Sequence, residues 1–146
     1  MAGLFFEDME VGMSAAYGTT VTEADILMFS GVSGDTNPVH LNEEYAGDTM
    51  FKGRIAHGML SASFISAAIG TKLPGPGAIY MKQDLKFLAP VRIGDTAVAT
   101  VTVSSLDGDK NRAVLSTVVT VGEKVVIDGT ALIMVPSRSA AEQVAA

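Results

Sequence analysis

The hydrophobic rhythm of the chain changes near Gly77. Upstream, apolar positions recur at helical spacing; downstream, they alternate. From Gly58 to Gly70 there is no charged residue, and Met59, Leu60, Ser63, Phe64, Ala67 and Ala68 return every three or four positions. The remaining positions, Ser61, Ala62, Ile65, Ser66 and Ile69, are also small or apolar. This predicts a helix of about 13 residues that is buried on all sides. Leu73-Pro74-Gly75-Pro76-Gly77 stops it. Beyond that, Ile79, Met81, Gln83, Leu85 and Phe87 alternate with Tyr80, Lys82, Asp84 and Lys86, and Ala97, Ala99, Val101 and Val103 alternate with Val98, Thr100, Thr102 and Ser104. Period two is the mark of a half-buried strand. Strands are expected over 78–90, 95–106, 112–121 and 124–135, joined by connections short enough for neighbours.

Upstream, residues 14–21 form a candidate first strand. Thr22-Glu23-Ala24-Asp25 resembles a capping box and opens a helix running to about Gly31–Gly34. Asn42-Glu43-Glu44-Tyr45 starts a second, short and acidic, that ends near Gly47. Residues 48–56 read as irregular. One buried helix plus an antiparallel sheet of four or five strands makes an α+β domain with the sheet wrapped around the helix. We expect one domain over 1–146, with 136–146 a small, polar, flexible tail. Valine-rich edge strands with few charges invite pairing, so a homodimer through a sheet edge is expected.

Composition narrows the function. The chain has 146 residues, enough for a core without staples. Hydrophobic residues make up 48% and mean hydropathy is +0.35, which leaves apolar surface for a partner. The absence of cysteine excludes disulfides, thiolate zinc sites and a cysteine nucleophile. With only two histidines, a histidine-rich metal site is not expected. No apolar run approaches the ~18–20 residues of a membrane span, and the acidic N-terminus does not read as a signal peptide, so a cytoplasmic protein is expected. The net charge of −6 argues against nonspecific nucleic-acid binding. Residues 1–51 contain nine acids and no Lys or Arg. Residues 52–92 hold Lys52, Arg54, Lys72, Lys82, Lys86 and Arg92 against Asp84 alone. That window could serve an anionic ligand, or could be ordinary surface lysines unevenly sampled.

Two segments carry candidate chemistry. Asp35-Thr36-Asn37-Pro38-Val39-His40 joins a carboxylate to one of the two histidines on a segment that should be neither regular helix nor strand. Pro38 drives Asn37 from the α region, and the side chains of Asp35 and Asn37 can bond local amides. By itself the hexad reads as a stiff turn after a helix. It also suits a pair facing one small molecule, with histidine giving or taking a proton. The second segment is Ala56-His57-Gly58-Met59-Leu60. Gly58 lets a substrate approach a free helix-start amide, a plausible oxyanion donor. Close packing alone would also explain this glycine. His57 reads as a satisfied, half-buried histidine, and Ser61, Ser63 and Ser66 mostly as small packing residues.

In combination these segments resemble the MaoC-like (R)-specific enoyl-CoA hydratases, the hydratase 2 family, in the short bacterial form associated with polyhydroxyalkanoate synthesis. The resemblance rests on Phe29 to His40, on Ile55 to Leu60, on Leu73-Pro74-Gly75 with Gly77, and on Leu85 to Val91 with Gly94-Asp95. It covers most of residues 10–135. It implies a hot-dog fold, a homodimer, and hydration of a trans-2-enoyl-CoA to the (R)-3-hydroxyacyl-CoA. It further implies that Asp35 and His40 hold the attacking water, that the Gly58 amide polarises the thioester and that Ser63 lies near the catalytic acid. Asn37 joins the substrate-binding set. Lys52, Arg54, Lys82 and Lys86 are candidates for the CoA phosphates from charge alone. No metal or redox cofactor is implied, since CoA is part of the substrate. Two other readings share the fold: a (3R)-hydroxyacyl-acyl-carrier-protein dehydratase, and a non-catalytic acyl-thioester binding subunit, for which an acid–base pair would have no use.

Overall fold

A computed structural model of the chain describes residues 2–145. The outermost residues of the expected domain and tail, 1 and 146, lie outside the described residues. After a short 3-10 turn, Phe6–Asp8, come β1 (Ser14–Thr20), α1 (Glu23–Ser33), α2 (Pro38–Leu41), α3 (Glu43–Gly47) and α4 (Gly58–Thr71). They are followed by β2 (Ile79–Phe87), β3 (Thr96–Asp107), β4 (Arg112–Val121), β5 (Lys124–Met134) and α5 (Arg138–Ala145). The five strands form one antiparallel sheet in the order β1-β3-β4-β5-β2. The chain therefore leaves one edge at β1, passes over the sheet through the helices, and enters the opposite edge at β2.

Alternation decides which face meets the helix. Ala97, Ala99, Val101 and Val103 of β3, with Ala113, Leu115, Thr117 and Val119 of β4, are buried against α4. Small residues on the sheet let α4 lie close, and Phe64, Ile65, Ala68 and Ile69 fill the space between. This is the helix-wrapped sheet of the hot-dog fold. No helix among the described residues is long and apolar enough to cross a membrane.

Four features differ from the sequence reading. First, α4 is not buried all round: Gly58, Met59, Ser63, Ser66 and Gly70 remain exposed. Second, the second half of the hexad is a helical turn. Proline suits the first helical position, and Asn37 caps it by accepting from the Val39 amide at 3.2 Å. Third, β2 has a register shift at Met81. The bulge turns Tyr80 to the inner face together with Gln83, Leu85 and Phe87, opposite Ile133, Ala131, Gly129 and Ile127. There Tyr80 donates to Gln83 Oε1, and Gln83 Nε2 donates to Thr117 Oγ1 at 2.9 Å and to the Asp84 carbonyl at 2.8 Å. Burial pushes the Tyr80 hydroxyl up to about 12, so it stays a donor. Fourth, the polar tail forms α5, tied down where Arg138 pairs with Asp8 at 2.5 Å and its amide donates to Glu7 at 3.0 Å.

Candidate active site

The polar part of the site is built by α1 and the segment that follows. Thr22 Oγ1 accepts from the Asp25 amide and Asp25 accepts from the Thr22 amide, which closes the expected capping box. Gly34 ends α1 with φ 78°, a left-handed exit suited to glycine. Asp35 then bonds the Asn37 amide through Oδ1 at 3.2 Å, which turns the chain toward α2. Its carboxylate is about half exposed, whereas the His40 side chain is 10% exposed.

The protons on His40 can be assigned from its partners. Nδ1 lies 2.8 Å from the Ile55 carbonyl, which can only accept, so Nδ1 carries the hydrogen. In the neutral ring Nε2 is therefore a bare acceptor. It lies 3.9 Å from Asp35 Oδ2, too far for a direct hydrogen bond. One oxygen atom at about 2.8 Å from both fits between them.

His57 is buried more deeply than its sequence suggests, at 1% exposure. Its Nε2 lies 3.0 Å from the Asp35 carbonyl and 3.1 Å from Ser30 Oγ, so Nε2 carries the hydrogen here. The His57 ring packs against His40, with centroids 3.9 Å apart and planes tilted by 31°, and against Phe29, with centroids 4.9 Å apart and a tilt of 56°. Burial pushes its imidazole down from the usual range, against the raising effect of the Asp35 carbonyl. His57 thus holds the backbone of one member of the pair and the ring of the other. Asp35, His40 and His57 each bring a possible ligand atom within 4.8 Å of the others. They suit a metal poorly, because His57 Nε2 is already engaged as a donor to the Asp35 carbonyl.

Arg54 was expected among the phosphate-binding cations. Its guanidinium instead pairs with Glu23 through two bonds, 2.8 and 2.9 Å, and its Nε donates to the His40 carbonyl at 2.6 Å. This arginine clamps the His40 turn to the start of α1. Lys82 and Lys86 lie on the outer face of β2, opposite Phe87, by strand alternation. Lys52 is exposed and follows Phe51 in a loop beside the cleft described next. Asn37 is a cap for α2, with its carbonyl oxygen on the Val39 amide.

A cleft of about 390 Å³ opens next to the pair, lined by the 50–51 loop, Ile55, Ala56, Gly58, Ser61, residues 87–91 and Ile127. Its size suits a small-molecule site and its walls are mostly apolar. Asp35 and His40 stand beside it rather than in its wall. Ile55, whose carbonyl holds His40, is in the wall, and so is Gly58, which follows His57. Among the described residues no side chain caps the start of α4, and the Gly58 amide has no partner there. A Cβ at position 58 would lie 2.7 Å from the Phe87 ring, so any larger residue here would force that ring to move.

The serines divide differently from the expectation. Ser63 is exposed and donates to the Leu60 carbonyl at 2.5 Å, whereas Ser61 lies in the cleft wall. The resemblance pointed to Ser63 rather than Ser61, and the clamp by Arg54 and the packing role of His57 were not legible in the sequence. The spacing of Ser61, three residues after Gly58 and so on the same helix face, was the signal that could have found it.

Residues 7–126 match the MaoC like domain family. The chain is 60% identical over 134 residues to the (R)-specific enoyl-CoA hydratase of Rhodospirillum rubrum, covering 92% of this chain and 93% of that protein. Among solved structures it resembles the R-hydratase PhaJ1 of Pseudomonas aeruginosa in its unliganded form, with a TM-score of 0.88 and 47% identity over 93% of this chain and 88% of that one. It also resembles the (R)-hydratase of Aeromonas caviae involved in PHA biosynthesis, with a TM-score of 0.86 and 38% identity over 89% of this chain and 99% of that one. The site geometry, the fold and these matches agree, and the chain belongs to the MaoC-like domain family.

Proposed function

We propose that this protein is an (R)-specific enoyl-CoA hydratase, a hydro-lyase that interconverts trans-2-enoyl-CoA and (R)-3-hydroxyacyl-CoA. The observation that carries the reading is the 3.9 Å gap between two acceptors, Asp35 Oδ2 and His40 Nε2, beside an apolar cleft with a free helix-start amide. A water that donates one hydrogen to each acceptor has its lone pairs turned outward. The substrate lies in the cleft with its thioester oxygen at the Gly58 amide, where the helix dipole favours negative charge. As the water oxygen bonds to C3, the C2=C3 electrons move toward the thioester oxygen and a proton passes to the pair. The pair returns a proton to C2, and the sum is the addition of water. General acid–base action of this kind typically supplies ~10²–10⁴-fold and an oxyanion donor ~10²–10³-fold. The chemistry uses no metal or redox cofactor, and CoA enters as part of the substrate.

The CoA phosphates belong at the cleft mouth, where Lys52 is the candidate cation. A second copy pairs along the β2 edge, in keeping with exposed Ile79, Met81, Phe87 and Leu88 there. The cytoplasm is the proposed setting. Sedimentation should give a dimer, and Met81→Lys should weaken it. For the activity, crotonyl-, hexenoyl- and octenoyl-CoA are offered to wild type, His40→Ala and Asp35→Asn. Loss of about 10³-fold or more in kcat by either variant, with folding kept, is expected. Wild type inert toward all three thioesters would remove the hydratase reading.

A further inference from the structure

The start of α4 carries a hydroxyl that the reaction above leaves unused. Ser61 is 1% exposed, it lies in the cleft wall, and its Oγ has no hydrogen-bond partner among the described residues. Three other helical hydroxyls behave differently. Ser33 donates to the Phe29 carbonyl at 2.6 Å, Ser63 to Leu60 at 2.5 Å and Thr71 to Ala67 at 2.6 Å. Such back-bonding is the ordinary resort of a hydroxyl on a helix. The acceptor one turn before Ser61 is the His57 carbonyl, which already takes the Leu60 and Ser61 amides. Helical side chains lean toward the N-terminus, so the Ser61 side chain overlies the turn that Gly58 opens. A buried hydroxyl with no partner is unfavourable in the free protein, and a ligand acceptor removes that penalty.

We propose that Ser61 is a second catalytic donor to the thioester oxygen, acting beside the Gly58 amide. The proposal rests on the hydratase reading and deepens it. The proton stays on Ser61 Oγ throughout; its bond to the oxygen shortens as electrons from C2=C3 gather there. A rival role exists on the same turn, because His57 Nδ1 is also buried and has no partner among the described residues. In that case Ser61 would brace the imidazole and would not touch substrate.

The two roles separate by isotope-edited infrared spectroscopy of bound butyryl-CoA labelled with ¹³C at the carbonyl, a saturated thioester that cannot be hydrated. The C=O stretch should fall to lower frequency on binding to wild type and return part of the way in Ser61→Ala. With crotonyl-CoA the same variant should lose roughly 10²-fold in kcat with little change in KM. Its melting temperature should stay level or rise, since an unpaired buried polar group is removed. A carbonyl stretch identical in wild type and Ser61→Ala would overturn the proposal, whatever the activity. A lowered melting temperature with an unmoved stretch would assign Ser61 to bracing His57 instead. If wild type hydrates nothing, the hydratase reading falls, yet a Ser61-dependent shift would still establish the contact. If wild type hydrates and the shift ignores Ser61, only this proposal falls.

Discussion

The polar rim, residues 22–57, and the cleft wall, made by the start of α4 with β2, are held by different physics. In the rim each functional group has a named, directional partner. Ile55 fixes the His40 tautomer, Arg54 holds the His40 carbonyl, and His57 holds the Asp35 carbonyl. In the wall, shape does the fixing. Gly58 fits beneath Phe87, and Gly129 makes room for the Asp84 carbonyl across the β5–β2 ladder. Directional bonds set the protonation state and aim of the reacting groups. Close packing decides what may approach them.

The two regions break differently. Outside the reacting pair itself, the largest effect is expected at Gly58. Gly58→Ala drives a Cβ into Phe87, and overpacking of this kind costs about 1–3 kcal/mol while crowding the amide. Activity should drop by roughly 10²-fold. Phe87→Leu in the same chain should recover much of the lost stability, read as the urea midpoint of the double variant against the singles. Equal losses with and without Phe87→Leu would show that sterics at this contact are not the cause.

A smaller, purely kinetic loss is expected in the rim. Arg54→Met removes the clamp but leaves the hydrophobic core untouched. Glu23 is about half exposed, so the ion pair itself contributes little to stability. The bond to the His40 carbonyl matters more, and kcat should fall about tenfold with a nearly unchanged melting temperature. An unaltered kcat would mean that Arg54 does not hold the pair.

The smallest effect comes from pH. Burial depresses His57, so the folded chain binds fewer protons than the unfolded chain between the depressed value and the ordinary 6.5. The stability that neutral His57 contributes is complete above 6.5 and is lost as pH falls toward the folded value. The slope is at most about 1.4 kcal/mol per pH unit for one proton. Glu7 and Asp8, held low by hydrogen bonds from Arg138, act at more acid pH and do not blur this window. Urea unfolding of wild type and His57→Gln across the neutral-to-mildly-acid range should show the slope in wild type and a shallower one in the variant.

The contrast between regions also explains what could be read from the chain. The rim is local in sequence: Thr22 with Asp25, Asp35 with Asn37 and Asn37 with Val39 are bonds across two or three residues, so spacing exposes them. The alternation in β3 and β4 and the charge-free run of α4 were legible for the same reason. The wall depends on distant pairs. Nothing near Gly58 announces Phe87, and nothing near Met81 announces the bulge that turns Tyr80 inward. The basic window gave no division of roles, because a count of charges is blind to direction. Arg54 turns to Glu23, and the sheet's alternation sends Lys82 and Lys86 to the outer face.

The central claim is that Asp35 and His40 hold water against an enoyl thioester on one face. It is tested most directly by chiral analysis of the 3-hydroxybutyryl-CoA formed from crotonyl-CoA by wild type and His40→Ala. The account predicts the (R) product alone from wild type and almost none from the variant. An (S) or racemic product, or a variant as fast as wild type, would contradict it.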